Sequence, residues 1–317
     1  MNRNAVAGGV TGEFMTRRRW LTSTLGLGLA SVGWRVRAVD VTATEESVRR
    51  RAAKVGLRAI GTSQTEHYLA IGDGPESFRE EAIGLCEKLL ASYQKYFKGK
   101  NIEVEIPARR MTVVVLAGRA SYAAFKGEKV GAEESGFYDI DEDRLVIFDA
   151  RGAGGAPGGL DGANSRFLNT FSLVHEAIHQ LTFDTGMLSR TADVPLAVSE
   201  GLATYCELWQ KKNPVIGQLN RFRLQVLRQP GTEWLPVAKL VTDDAVFRDA
   251  ATVQAAYAEA WLLVHVLLKT RTAKFRAYLD LIRTRTDEKH RADDAARALG
   301  DLERLDRDLK KTASSLL

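Results

Sequence analysis

Apolar positions along the chain follow two spacings, and the change from one to the other divides it. Residues 67–71 (HYLAI) form a short apolar run closed by the turn-forming Gly72-Asp73-Gly74-Pro75, which predicts a strand. Over residues 76–97, Phe78, Ala82, Ile83, Cys86, Leu89, Leu90, Tyr93 and Phe97 recur at helical intervals and predict a helix. Residues 111–116 (MTVVVL) are β-branched and apolar almost throughout, as in a central strand covered on both faces. A short helix from Ser121 and strands at 136–138 and 144–148 complete a lobe of about four strands and two helices. Asp141-Glu142-Asp143 and Glu133-Glu134 read as solvated turns.

Beyond residue 150 the spacing is helical. Residues 152–162 (GAGGAPGGLDG) hold six glycines and a proline, so they read as a flexible loop, either a lid or a linker. Asn164 or Ser165 is placed to cap the helix that follows, which carries Phe167, Phe171, Leu173, Val174, Ile178 and Leu181. A second helix starts near Leu196 after a loop through Gly186 and Pro195. From Ile216 onward the pattern is mostly helical, with an apolar helix at 257–269, another at 275–283 and a charged amphipathic one at 292–309. The predicted fold class is α+β: residues 64–317 form one domain with an α/β lobe (64–150) and a helical lobe (164–317), preceded by a charged linker or short helix over 39–63. No run is long and apolar enough to span a bilayer convincingly, and there are no repeats.

The chain has 317 residues, 45% apolar and 27% charged, ample for a sizeable core. Its net charge of +5 is local, because residues 1–38 hold six arginines and a single acid, Glu13. The remainder carries 39 basic and 39 acidic residues, which gives no argument for a nucleic-acid partner. Thr16-Arg17-Arg18-Arg19-Trp20-Leu21 resembles the bacterial twin-arginine export signal, and a weakly apolar run to Trp34 and then Val36 and Ala38 suit cleavage after Ala38. The expectation is an exported chain, periplasmic or extracellular, with a disordered basic leader or an uncleaved signal anchor the alternatives. Cys86 and Cys206 do not make a disulfide framework; they read as buried thiols or one long-range bridge.

Candidate chemistry concentrates in residues 171–180, FSLVHEAIHQ. His175 and His179 lie one helical turn apart on one face, with Glu176 about 100° round the axis from His175. Two imidazoles able to hold Zn²⁺ and a carboxylate placed to take a proton from its water are the H-E-x-x-H arrangement of zinc hydrolases. Such a site needs a third protein ligand and an open position for water. Glu200 follows 21 residues after His179, in Ser199-Glu200-Gly201-Leu202-Ala203.

Here the chain resembles the gluzincin metallopeptidases, and most nearly a group of exported bacterial proteins known as peptidase-MA-like. That group shows H-E-x-x-H-Q, a loop with a proline, S-E-G-L-A-x-Y and a later Y-x-x-x-W. This sequence has all four, in residues 175–180, Pro195, residues 199–205, and Tyr257 with Trp261. The resemblance spans about residues 110–270. It implies a zincin-like fold and one Zn²⁺ per chain held by His175, His179 and Glu200. It further implies Glu176 as general base and Tyr257 as donor to the oxyanion. Glu259 and Ala260 depart from the Y-x-K-G pattern of the aminopeptidases, and no Gly-x-M-E-N clamp is present, so exopeptidase specificity does not carry over. Thermolysin-like enzymes have Asp at the place of Thr204, so the contact that orients a ligand is either weaker here or supplied by Glu207, which shares a helical face with Glu200 and Thr204 by the i, i+4, i+7 spacing. Tyr205 is a second oxyanion candidate, His265 a satisfied core residue, and His67 and His290 surface residues. The expected function is zinc-dependent hydrolysis of peptide bonds in a peptide or protein substrate. The alternative is a zincin-fold module of the cell envelope that binds a partner without turnover.

Overall fold

The structure, a computed structural model, describes residues 41–128, 130, 134–150 and 162–316. The arginine-rich leader and the glycine-rich loop at 152–161 lie outside the described residues, as does Glu133. Helix α1 (Val41–Lys54) and strand β1 (Gly61–Gln64) occupy the stretch expected to be a linker or short helix. β1 escaped the pattern because it is a polar edge strand with alternate residues in water, GTSQ, and no apolar alternation to detect. With β2 (Tyr68–Gly72), helix α2 (Glu76–Lys98), β3 (Met111–Leu116), α3 (Arg119–Lys126), β4 (Gly136–Asp139) and β5 (Arg144–Phe148), the lobe has five strands and three helices.

The sheet order is β1-β2-β3-β5-β4, with β2, β3 and β5 parallel and both outer strands antiparallel to their neighbours. MTVVVL is the central strand, and its uniform apolarity follows from cover on both faces. Met111, Val113 and Val115 point into the main core, whereas Val114 and Leu116 join Val48 and Ala52 of α1 and Tyr122 and Phe125 of α3.

The main core continues into the helical body. Helix α4 (Gly162–Asp184) begins ahead of the residues expected to cap it, and its Leu173, Val174, Ala177, Ile178 and Leu181 are buried between the sheet, α2 and α5 (Leu196–Cys206). Then come α6 (Arg221–Arg228), α7 (Val237–Thr242), a 3-10 turn (Asp244–Phe247), α8 (Val253–Thr270) and α9 (Thr272–Ile282). The expected amphipathic helix at 292–309 is two helices, α10 (Arg291–Leu299) and α11 (Leu302–Ser315). Gly300 at φ +91° breaks the run, and Asp301 caps the new helix by accepting from Arg304 N. None of these helices is long and apolar enough to cross a membrane among the described residues. The architecture is α+β, a mixed sheet followed by a mostly helical region.

Two acidic stretches are only in part the solvated turns that their composition implies: residues 141–143 do form a turn with Asp141 and Glu142 exposed, but Asp143 and Glu134 are buried. Asp143 is 1% exposed and bound by Arg109, Arg190 and, at 2.8 Å, the Tyr138 hydroxyl; Arg109 and Arg190 also hold Asp184. Glu134 is likewise buried, against the Tyr122 hydroxyl and the Lys126 ammonium. The countercharges come from distant segments or another element, so composition alone could not reveal them.

On α8, Glu259 is buried and accepts a hydrogen bond from Leu235 N at 2.8 Å. Burial pushes its carboxyl up to about 8; Asp306 adds to the rise, whereas the Leu235 N–H and Lys310 oppose it. An acid whose folded pKa is raised costs nothing below its unfolded value of about 4.3 and costs most above the folded one. Stability is therefore expected to fall between about pH 4.5 and pH 8, by at most roughly 5 kcal/mol from this group. Glu259→Gln should flatten that part of the profile in urea unfolding at pH 5 and pH 8. An unchanged slope would remove Glu259 as its source.

Candidate metal centre

Helix α4 presents His175 and His179 one turn apart, with ring centroids 5.0 Å apart at 72°. α5 crosses beside them and brings Glu200 to the same point. Its Oε2 lies 3.2 Å from His175 Nε2 and 3.5 Å from His179 Nε2. The three donor atoms fall within 4.8 Å of one another, so this group can hold a metal ion. All three side chains are nearly buried. The next residue explains how α5 comes so close to its other neighbour: a Cβ on Gly201 would lie 2.7 Å from Ala260 O on α8. The glycine of the S-E-G-L-A sequence thus lets α5 and α8 touch through their backbones, which fixes Glu200 relative to α8.

The far nitrogen of His175 is oriented by Glu207, with Nδ1 3.3 Å from Oε2. Glu207 is in turn held by Asn220 Nδ2 at 2.6 Å and Arg223 Nε at 3.1 Å on Oε1, and by Arg223 Nη2 at 3.2 Å on Oε2. Asn220 also caps α6, accepting from Arg223 N at 3.1 Å, so the first turn of that helix is built around one buried carboxylate. Burial opposes ionisation of Glu207, but the Arg223 charge and the His175 hydrogen bond hold it down at about 2. Burial likewise opposes a charged His175, yet hydrogen bonds to Glu200 and Glu207 raise it to about 9. Glu200 is pulled well below the ordinary carboxylate range by His179 and His175, against its own burial. Thr204 takes no part, because its hydroxyl donates back to the Glu200 and Gly201 carbonyls.

Glu176 points to the other side of the pair, where its Oε2 accepts from Tyr138 N on edge strand β4 at 3.1 Å. Glu176, His179, Glu200 and Tyr257 line one cleft of about 150 Å³, walled also by Tyr138, Ile140, Phe183, Val194, Leu196 and Phe247. Tyr257 reaches it from α8, its ring against Phe247 at 5.6 Å and under the Arg223 guanidinium at 5.4 Å. The five residues singled out from the sequence therefore converge from three helices.

Tyr205 lies elsewhere, its hydroxyl paired with that of Tyr96. His265 is buried against Trp261 as expected, but its Nδ1 has no hydrogen-bond partner among the described residues, and burial lowers its pKa to about 4. His67 is half-buried, bonded to Glu87 at 3.0 Å, and His290 is exposed. Cys86 and Cys206 are buried free thiols. The anchoring of Glu207 by Asn220 and Arg223, and the edge-strand contact to Glu176, had no signal in the sequence because both join distant segments.

Metal affinity is expected to separate these roles. Removing the ligand by Glu200→Ala should lower divalent-metal affinity steeply. Glu207→Ala should lower it about 10- to 100-fold through loss of His175 orientation. Thr204→Ala should have little effect in the same chelator competition. Equal affinity for Glu200→Ala and wild type would remove Glu200 from the donor set. No curated protein matches the chain. Residues 169–287, which hold His175, His179, Glu200, Glu207 and Tyr257, match the model of a family described as "Protein of unknown function (DUF1570)".

Proposed function

We propose that the chain is a zinc metallopeptidase of the gluzincin type. The observation that carries this reading is that His175, His179 and Glu200 form one donor group, of which His179 and Glu200 line a cleft that also contains Glu176 and Tyr257. Two imidazole nitrogens and one carboxylate oxygen, with one side left open, fit the donor set of a catalytic zinc ion. When bound, zinc supplies a Lewis acid that acidifies water and polarises a carbonyl.

The chain's own residues supply the rest. Glu176 is held on one oxygen by the Tyr138 N–H, which fixes its carboxylate beside the two histidines. It is suited to take the proton of the attacking water and deliver it to the leaving amine nitrogen. Tyr257, in the cleft wall, offers a hydroxyl donor to the carbonyl oxygen as charge builds on it. Glu207 and Arg223 hold His175 with its Nε2 toward Glu200, and the apolar walls limit water around the scissile bond. The twin-arginine-like leader supports an exported enzyme acting on peptides in or outside the envelope.

The test is zinc per chain together with cleavage of a mixed peptide library. Wild type should carry one zinc and cleave. Glu176→Gln should keep the zinc and lose about 10²- to 10⁴-fold in kcat, the usual worth of a general base. Tyr257→Phe should keep zinc and lose roughly 10²-fold in kcat, as for an oxyanion donor. Stoichiometric zinc without any cleavage by wild type would favour a binding module. Absence of zinc at neutral pH would defeat both metal readings.

A further inference from the structure

We infer that Arg248 is a substrate-recognition residue that binds a carboxylate of the peptide. The inference rests on the peptidase reading and names the substrate class of the same cleft. Arg248 follows the 3-10 turn at Asp244–Phe247 and lines the cleft. Its neighbour Phe247 is buried with its ring edge-on to Tyr257, which places Arg248 at the rim beside the proposed oxyanion donor. The side chain is exposed, and among the described residues it has no ion-pair partner.

The acids that could neutralise it locally are engaged elsewhere. Asp243 accepts from Ala245 N, and Asp249 from Ala251 N. Asp244 accepts from Leu196 N and pairs with Arg291 at 2.9 Å. Within the cleft, Glu134 is tied to Lys126, Glu200 to the two histidines and Glu176 to the edge-strand N–H. Arg248 is thus the one lysine or arginine among the described residues of the lining, and its fork of N–H donors matches a carboxylate.

The walls give the other half of the specificity. Ile140, Phe183, Val194, Leu196 and Phe247 form the apolar wall of the cleft, whose whole volume of about 150 Å³ is close to one that accepts a benzene-sized group. The ligand class that fits is a peptide with one apolar side chain and, nearby, a negative charge. That charge is either the carboxyl terminus or an acidic side chain.

The experiment measures binding to full-length, zinc-loaded Glu176→Gln, with and without Arg248→Ala, by calorimetry. Three peptides are used: acetyl-Ala-Ala-Phe-Leu as the free acid, its amide, and the amide with Leu replaced by Glu. One or both carboxylate peptides should bind about tenfold to a hundredfold more tightly than the amide, the range for a charged hydrogen-bonding pair, and Arg248→Ala should erase that ratio. The peptide that shows the preference identifies the source of the charge. Equal binding of all three, no measurable binding, or a preference that survives Arg248→Ala overturns the inference. If the preference depends on Arg248 but wild type cleaves none of these peptides or the mixed library, the carboxylate site stands and the peptidase reading falls.

Discussion

Four ionisable side chains, His175, His179, Glu200 and Glu207, lie almost entirely out of water between packed helices, and the rest of the site follows from that burial. Moving an ion from water into protein costs several kcal/mol, and the cost is offset only when the group is paired and its hydrogen bonds are met. Here the offsets run in sequence: Glu200 between the imidazoles, Glu207 behind His175, Arg223 and Asn220 behind Glu207. The first turn of α6 terminates this chain of charges, while its Leu224, Val226 and Leu227 are buried in the core. Such a cluster is rigid in its periphery and demanding at its centre, where a divalent ion would satisfy three donors at once.

The sheet contributes to the same point from the opposite side. β4 is an edge strand, so its outward N–H groups are not all used in the ladder, and Tyr138 spends one on Glu176. A Cβ on Gly136 would sit 3.0 Å from Val146 O and 3.1 Å from Ile147 Cγ2, so the glycine eases the pairing of β4 with β5. That Cβ would meet Glu176 Cγ only at an ordinary 3.6 Å. Gly201 plays the matching part among the helices by bringing α5 against α8. The close approach of α5 and α8, which carry Glu200 and Tyr257, is thus one that a methyl group at Gly201 would obstruct.

The residues legible in the sequence are those whose relation is local. Two histidines four apart share a helix face whatever surrounds them, and MTVVVL needs cover on both faces wherever it lies. Glu200 and Tyr257 were found through resemblance, and the helices bring them to the same cleft. What stayed hidden depends on partners far along the chain: Arg109 and Arg190 at Asp143, Arg223 at Glu207, Tyr138 at Glu176. The polar β1 pairs through its backbone and leaves no side-chain signature. Arg248 looks like any surface arginine until the turn places it at the cleft.

The loop between α4 and α5 shows how far the site is from being a detachable module. Asp193 in that loop is bound by Arg285 and Arg291, and Arg291 also holds Asp244, beside the start of α5. Arg291 lies beyond the stretch matched by the family, and the sheet lies before it. A fragment cut to residues 169–287 would lose the Tyr138 N–H on Glu176, the Thr112 carbonyl that accepts from Gln180 at 3.1 Å, and one of two arginines on Asp193. It would also bare the apolar side of α4 that rests on the sheet. The segment matched by the family model therefore leans on residues outside it, and transplanting the centre into another scaffold would mean carrying the sheet and the last helices with it.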